Sequence, residues 1–346
     1  LFLNTEGHSN TASGYSAIRL NTTGDYNTAF GREALYCNTT ANHNVAVGHQ
    51  TSYCNCTGEH NTAIGNYALH YNCTGSCNIA VGYSALQKNQ SGNVNTASGY
   101  QALYCNTTGS GNAAFGSASL KANTTGAQNT ASGYRALYGN TTGQYNTATG
   151  SMTLYTNTTG TENVAFGRVA LHLSTTGSYN TAVGTCSLYA NTSGAKNTAV
   201  GYQALKTNNC YDDNVAVGTY ALCLTTGHSN TAVGKSAVQA NSTGTQNTGV
   251  GKFALSSNTT ASYNTGIGMC AGYTNTTGTW NTAIGYASFM SNTTGSCNTA
   301  SGMYALRNNQ TGSFNTATGV RALGANTTAS YNTAMGTCSI YTNTTG

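Results

Sequence analysis

Proline is absent from this chain of 346 residues, charged side chains make up 5% of it, and only seven residues are acidic. So little charge, with a net +5 and no run of Lys or Arg, excludes a basic patch for nucleic acid. The acids Glu6, Asp25, Glu33, Glu59, Glu162, Asp212 and Asp213 are scattered, and no Ser/His/Asp constellation can be assembled from the spacing. The 43 glycines recur with the turns and do not form a phosphate loop ahead of a helix, so the chain reads as no enzyme and calls for no cofactor. No apolar run approaches the roughly 18 residues of a membrane span. Leu1-Phe2-Leu3-Asn4 is neither an initiator Met nor a signal peptide.

What fills the chain is one phrase. Counting from the Asn of N-x-A-x-G as place 1, copies start at Asn10, Asn27, Asn44, Asn61, Asn78, Asn95, Asn112, Asn129, Asn146, Asn163, Asn180, Asn197, Asn214, Asn230, Asn247, Asn264, Asn281, Asn298, Asn315 and Asn332. The twenty copies are 17 residues apart, except for a 16-residue copy at 214–229. Length therefore counts repeats rather than domains, and residues 1–346 read as one continuous tandem array. Because Asn4-Thr5-Glu6-Gly7 matches the second half of a phrase, the expectation is a segment of a longer array.

Seventeen residues are too few for a helix-turn-helix unit, and the phrase lacks a 3.6-residue apolar stripe and strong helix formers. The expected fold is all-β: a β-solenoid of about twenty coils, each stacked in register about 4.8 Å from the next, which would make a rod of roughly 95 Å. Place 1 is always Asn, place 5 always Gly, and place 3 is Ala except at Gly249 and Gly266. Period-2 alternation puts places 1, 3 and 5 on one face of a strand. Place 9 is mostly Leu, as in Leu35, Leu69, Leu103, Leu137, Leu171, Leu205 and Leu323, and is the expected core. A stacked Asn column at place 1 can hydrogen-bond amide to amide along the axis. Gly at place 5, and Gly or Ala at place 15, suit corners that need a positive φ or close backbone approach. Place 4 is apolar in fourteen copies but varies from Val to Phe, which predicts that it faces a second core layer or a neighbouring chain.

The stretch Asn197-Thr198-Ala199-Val200-Gly201-Tyr202-Gln203-Ala204-Leu205 resembles repeats in bacterial and phage tail-fibre proteins. Its Ala-Val-Gly core is similar to the head repeats of trimeric autotransporter adhesins, which are left-handed parallel β-rolls of shorter period assembled as trimers. The resemblance runs through the whole chain and implies a repetitive surface fibre.

At place 12 the sequon Asn-x-Ser/Thr recurs at Asn21, Asn38, Asn55, Asn72, Asn89, Asn106, Asn123, Asn140, Asn157, Asn191, Asn241, Asn258, Asn275, Asn292, Asn309, Asn326 and Asn343. The middle residue varies while the third stays Ser or Thr, as a glycosyl transferase requires, so covalent N-glycans on an outer edge are expected. The alternative is that Asn-Thr-Thr-Gly is simply a good turn. The column lapses at Ser174, at Asn208-Asn209-Cys210, and at Leu224-Thr225-Thr226-Gly227, where the Asn place reads as deleted. A bare window is expected there, with the shortened corner still stacking.

Cys37 and Cys54 share place 11 of adjacent copies, and Cys56 and Cys73 share place 13. Residues stacked about 4.8 Å apart lie within disulfide reach, so two axial cross-links are expected, with free thiols as the alternative. A metal site joining these thiols to His43, His49 or His60 lacks any CxxC pair. The other eight cysteines have no partner in the next copy of their column.

Three functions fit: an extracellular or cell-surface structural or adhesive fibre carrying glycans, a tail-fibre shaft without them, and an ice-binding solenoid using Thr at place 2 and Val at place 4. The expected partners are other copies of the chain, in a fibre or lateral bundle, and a surface or carbohydrate receptor.

Overall fold

Wherever the phrase reads Thr-Ala-x, or a close variant, places 2 to 4 form a three-residue strand, and these strands are the only helices or strands among the described residues, 2–345, of the computed structural model. The chain falls into two compact units, one ending at Thr176 and the other starting at Gly177. In the first, ten strands from β1 (Thr11–Ser13) to β10 (Val164–Phe166) pair in chain order, parallel and in register. In the second, β11 (Thr181–Val183) to β20 (Thr333–Met335) do the same. Each unit is thus a β-solenoid with one coil per phrase, as the period predicted.

Backbone groups outside the strands also bond from coil to coil. The second coil shows the pattern: Thr28 N–H donates to Asn44 O (2.8 Å), Gly31 to Ser13 O (2.8 Å), Leu35 to Thr51 O (3.0 Å) and His43 to Asp25 O (3.0 Å). Donation alternates between the preceding and following coil. The 16-residue coil keeps this register, with Val215 opposite Thr231 and Ala216 opposite Ala232.

The interior is thin. Ala at places 3 and 8 and Leu at place 9 are buried, for example Ala131, Ala136 and Leu137. Places 3 and 9 face each other: a Cβ on Gly249 would lie 2.5 Å from Val238 Cγ2, and one on Gly266 would lie 2.9 Å from Leu255 Cγ. Place 4 points outward, as at Phe30, Val47 and Ile64, so the expected second core layer is not there.

The corners use both of the expected devices and one more. Gly at place 5 does have positive φ, 134° at Gly31, but place 15 does not, and its small residue serves close approach alone. Three further left-handed residues per coil stand at places 7, 9 and 17, such as Glu33 (57°), Leu35 (50°) and His43 (58°). An L-residue in that region costs roughly 1–2 kcal/mol. At place 9 the burial of a Leu, about 1.5–3 kcal/mol, offsets it. At place 17, and at place 7 apart from small residues such as Ser84 and Ala287, the side chain is not buried, and the coil-to-coil N–H bond holds the geometry. Val94 is the extreme case, β-branched, 64% exposed and at φ 57°. Val94→Asn, a residue that tolerates this conformation, should stabilise the chain by about 1 kcal/mol in urea unfolding; a loss of stability would show that the Val side chain contributes packing there.

Candidate functional site: the asparagine columns and the outer surface

Two columns of amides run inside each unit. At place 1, Asn44 N–H donates to Asn27 Oδ1 (3.0 Å), and Asn44 Nδ2 donates to Asn27 Oδ1 (3.2 Å) and Gly58 O (3.0 Å). This is the ladder expected of place 1. Place 12 builds a second one. Asn38 Nδ2 donates to Asn21 Oδ1 (2.8 Å) and Ala41 O (3.1 Å), and Asn123 Nδ2 to Asn106 Oδ1 (2.8 Å) and Gly126 O (2.9 Å). Every primary amide hydrogen of such a residue is occupied.

The place-12 burial bears directly on the glycan expectation. Asn21, Asn38, Asn55, Asn72, Asn89, Asn106, Asn123, Asn140, Asn157, Asn191, Asn241, Asn258, Asn275, Asn292, Asn309 and Asn326 are fully buried, and Asn343 is half-buried. A sugar on Nδ2 would replace a hydrogen that the ladder uses and would have to fit where no solvent reaches. Glycan and folded coil exclude each other at these nitrogens. The chain itself held the discriminating signal: Asn4 and Asn208 lack a hydroxyl two residues on, yet both join the ladder, Asn21 Nδ2 to Asn4 Oδ1 at 2.7 Å and Asn208 Nδ2 to Asn191 Oδ1 at 3.1 Å. Nothing in the structure explains the Ser or Thr at place 14, which lies at the surface as at Thr40 and Thr125.

The expected window is a set of breaks in the ladder. Ser174 has no amide to donate, and Asn157 Oδ1 and Ser174 Oγ are both buried without a partner. In the short coil Thr225, rather than a gap, takes place 12: its N–H donates to Leu222 O (3.3 Å) and its Oγ1 accepts from Asn241 Nδ2 (2.9 Å). Thr226 then donates to Ser242 O as place 13 does, so the lost residue is that of place 14. Thr225 offers no amide to Asn208, whose Oδ1 is left alone. Ser174→Asn, supplying a donor to Asn157 Oδ1, should raise stability by about 1–2 kcal/mol, visible as a higher Tm; an unchanged or lower Tm would mean that the site does not accept the amide.

All twelve cysteines are free thiols. Cys37 and Cys54 stack in one column, and the Cys37 S–H donates to the Cys54 sulfur. Cys56 and Cys73 donate to the carbonyls of Cys54 (3.4 Å) and Tyr71 (3.6 Å). Burial first, then the neighbouring Cys54, Cys56 and Cys73, pushes the Cys37 thiol up to about 11. Cys54 and Cys56 are also raised, chiefly by burial. These are protonated and sluggish at neutral pH, since only the thiolate attacks. Iodoacetamide should modify Cys37 far more slowly than exposed Cys297 at pH 8, the gap closing as pH approaches 11; equal rates at pH 8 would contradict the burial. Among the described residues no group of three or more His, Cys, Asp or Glu side chains is arranged to hold a metal ion. His43 stacks instead between Tyr26 (5.0 Å) and His60 (4.9 Å), while His49 lies edge-on to Tyr67 (5.3 Å).

The outer sheet face carries places 2 and 4. No described helix is long and apolar enough to cross a membrane. Comparison with protein-family models and with curated protein sequences gives no match.

Proposed function

We propose that this chain is a structural or adhesive fibre, extracellular or displayed at a cell surface, whose phrase supplies length and regular outer columns. The observation that carries the reading is the sameness of the coils: each is tied to its neighbours in its unit by the same pattern of backbone bonds and by the amide ladders, the place-12 ladder lapsing only at Ser174 and Thr225. Such a fold grows by adding coils and needs no singular site. The surface location draws on the likeness of the phrase to surface-fibre repeats. Axial disulfides at Cys37–Cys54 and Cys56–Cys73 belong to the same proposal: each would form by loss of two electrons and two protons to an external oxidant, slowly at neutral pH because the raised thiols supply little thiolate.

The outer face suits lateral pairing with a second copy. Place 4 is aliphatic and β-branched without interruption from Val183 through Val200, Val217, Val233, Val250 and Ile267 to Ile284, and most of these side chains are exposed. Sedimentation of the purified chain at rising concentration tests this. Association is expected in the parent and should weaken about tenfold when Val200→Lys and Val217→Lys place charge on the face. A parent that remains a single chain throughout would overturn lateral assembly.

A second reading, ice binding, draws on the same stretch. Thr181, Thr198, Thr231, Thr248, Thr265 and Thr282 line place 2 beside the aliphatic column, and the phenylalanines of place 4, Phe30, Phe115 and Phe166, all fall in the other unit. Thermal hysteresis of the purified chain decides it; none would dismiss the reading.

A further inference from the structure

After Asp213 the chain contains no Asp or Glu, while Lys235, Lys252, Arg307 and Arg321 remain. Two of these cations converge. The Arg307 guanidinium lies 4.8 Å from the centre of the Tyr304 ring and that of Arg321 lies 5.9 Å from the same ring. With Asn308, Gly324 and Tyr341 they line a cavity of about 110 Å³. No Asp or Glu side chain after Asp213 is available to neutralise the pair.

The cavity exists because of one residue. Place 10 of successive coils otherwise carries a side chain, among them Tyr273, Met290, Arg307 and Tyr341, and Gly324 is the only glycine in that column. A Cβ there would come 2.8 Å from Tyr341 Cε2, so the ring rests over bare backbone. The missing side chain opens a gap between Arg307 and Tyr341, and Arg321, at place 7 of the same coil, reaches over it. The charged wall is all donor: two guanidinium forks, with the Asn308 amide and the phenol hydroxyls beside them.

We propose that this cavity binds a phosphate or sulfate group, either the free ion or its ester on a sugar. Two exposed cations over one ring, without a counter-ion, match a dianion in charge, and the guanidinium fork matches an oxyanion in geometry. The volume admits one such group, and the Tyr304 and Tyr341 rings supply apolar walls for whatever carries it. This inference is independent of the fibre reading, since it concerns a single cavity and not the repeat.

The test is calorimetric titration of the full chain at low ionic strength with inorganic phosphate, inorganic sulfate and a sugar phosphate. Saturable binding of one ion per chain is expected. Arg307→Gln with Arg321→Gln should weaken it at least about tenfold, whereas Lys235→Gln with Lys252→Gln, which removes the same charge elsewhere, should change it less than about twofold. Gly324→Gln, giving the column the residue it has at Gln87 and Gln239, should close the cavity and abolish binding while the melting temperature holds. Tighter binding of the sugar phosphate would identify an ester as the ligand and equal binding the free ion, and both carry the proposal if the arginine variant removes them. Absence of saturable binding, equal losses in the arginine and lysine variants, or binding that survives Gly324→Gln would each overturn it.

Discussion

Leu137→Asp should break the stack of its unit around the eighth coil, with a loss of at least about 5 kcal/mol. Leu137 is fully buried between Leu120 and Leu154 in its own column, with Ala131 and Ala148 likewise buried at place 3. Truncating such a Leu alone costs about 2–5 kcal/mol, and the carboxylate adds the cost of an ion buried without a partner. Its N–H donates to Thr153 O (2.9 Å) and its carbonyl accepts from Asn140 N–H (3.2 Å), so displacing the residue also loosens the coil-to-coil ladder. Because a solenoid coil touches only its neighbours, the damage should be local. Limited proteolysis should cut near residue 137 while distant coils stay protected; resistance equal to the parent would mean that the inside and outside of the coil are misassigned.

Asn123→Asp is the second large effect, and it is pH-dependent. The substitution preserves shape but removes the Nδ2 donor that reaches Asn106 Oδ1 and Gly126 O, and sets a carboxylate against both oxygens. The Oδ1 that accepts from Asn140 Nδ2 (2.7 Å) is retained. At neutral pH the loss should be about 3 kcal/mol or more, from Asn106 Oδ1 left without its donor, Gly126 O left with Asn112 Nδ2 alone, and a buried charge. Protonation restores one donor toward Asn106. The folded-state pKa of the new acid is thus raised above its unfolded value of about 4. Stability from holding the proton is present below that value and is lost as pH rises through the folded pKa. Urea midpoints of variant and parent should therefore converge on acidification and diverge toward neutrality; a pH-independent difference would argue against a desolvated amide in this column.

The in-and-out pattern of places 1, 3 and 9 was legible because side-chain size reports it. Only Asn, Ala or Gly, and mostly Leu suit those columns, and the 17-residue period gave the coil. Place 12 carries two readings for a physical reason. A polar residue in Asn-x-Thr carries two meanings, an acceptor for sugar and an amide that stacks on its own kind, and the variable middle residue drew attention to the first. Asn4 and Asn208 show that the amide is what persists, and Ser174 and Thr225 that its replacements are small and uncharged, as a buried place requires. The left-handed corners at places 7, 9 and 17 were not legible, since Gly marks them only at Gly111 and Gly272 and Asn nowhere; coil-to-coil bonding imposes that geometry on Leu, Glu and His alike. The Arg307–Arg321 cavity escaped because it depends on an absence, Gly324, in a column whose other members vary freely.

The central claim is that the place-12 asparagines are internal beams of the coil. It is tested most directly by secreting the chain from a host that glycosylates sequons, isolating the folded, protease-resistant fraction, and mapping its peptides by mass. The account expects unmodified Asn at Asn106, Asn123 and Asn140 in that fraction, with any glycosylated chains confined to the unfolded one. Glycans on Asn123 and its neighbours in folded chains would contradict it.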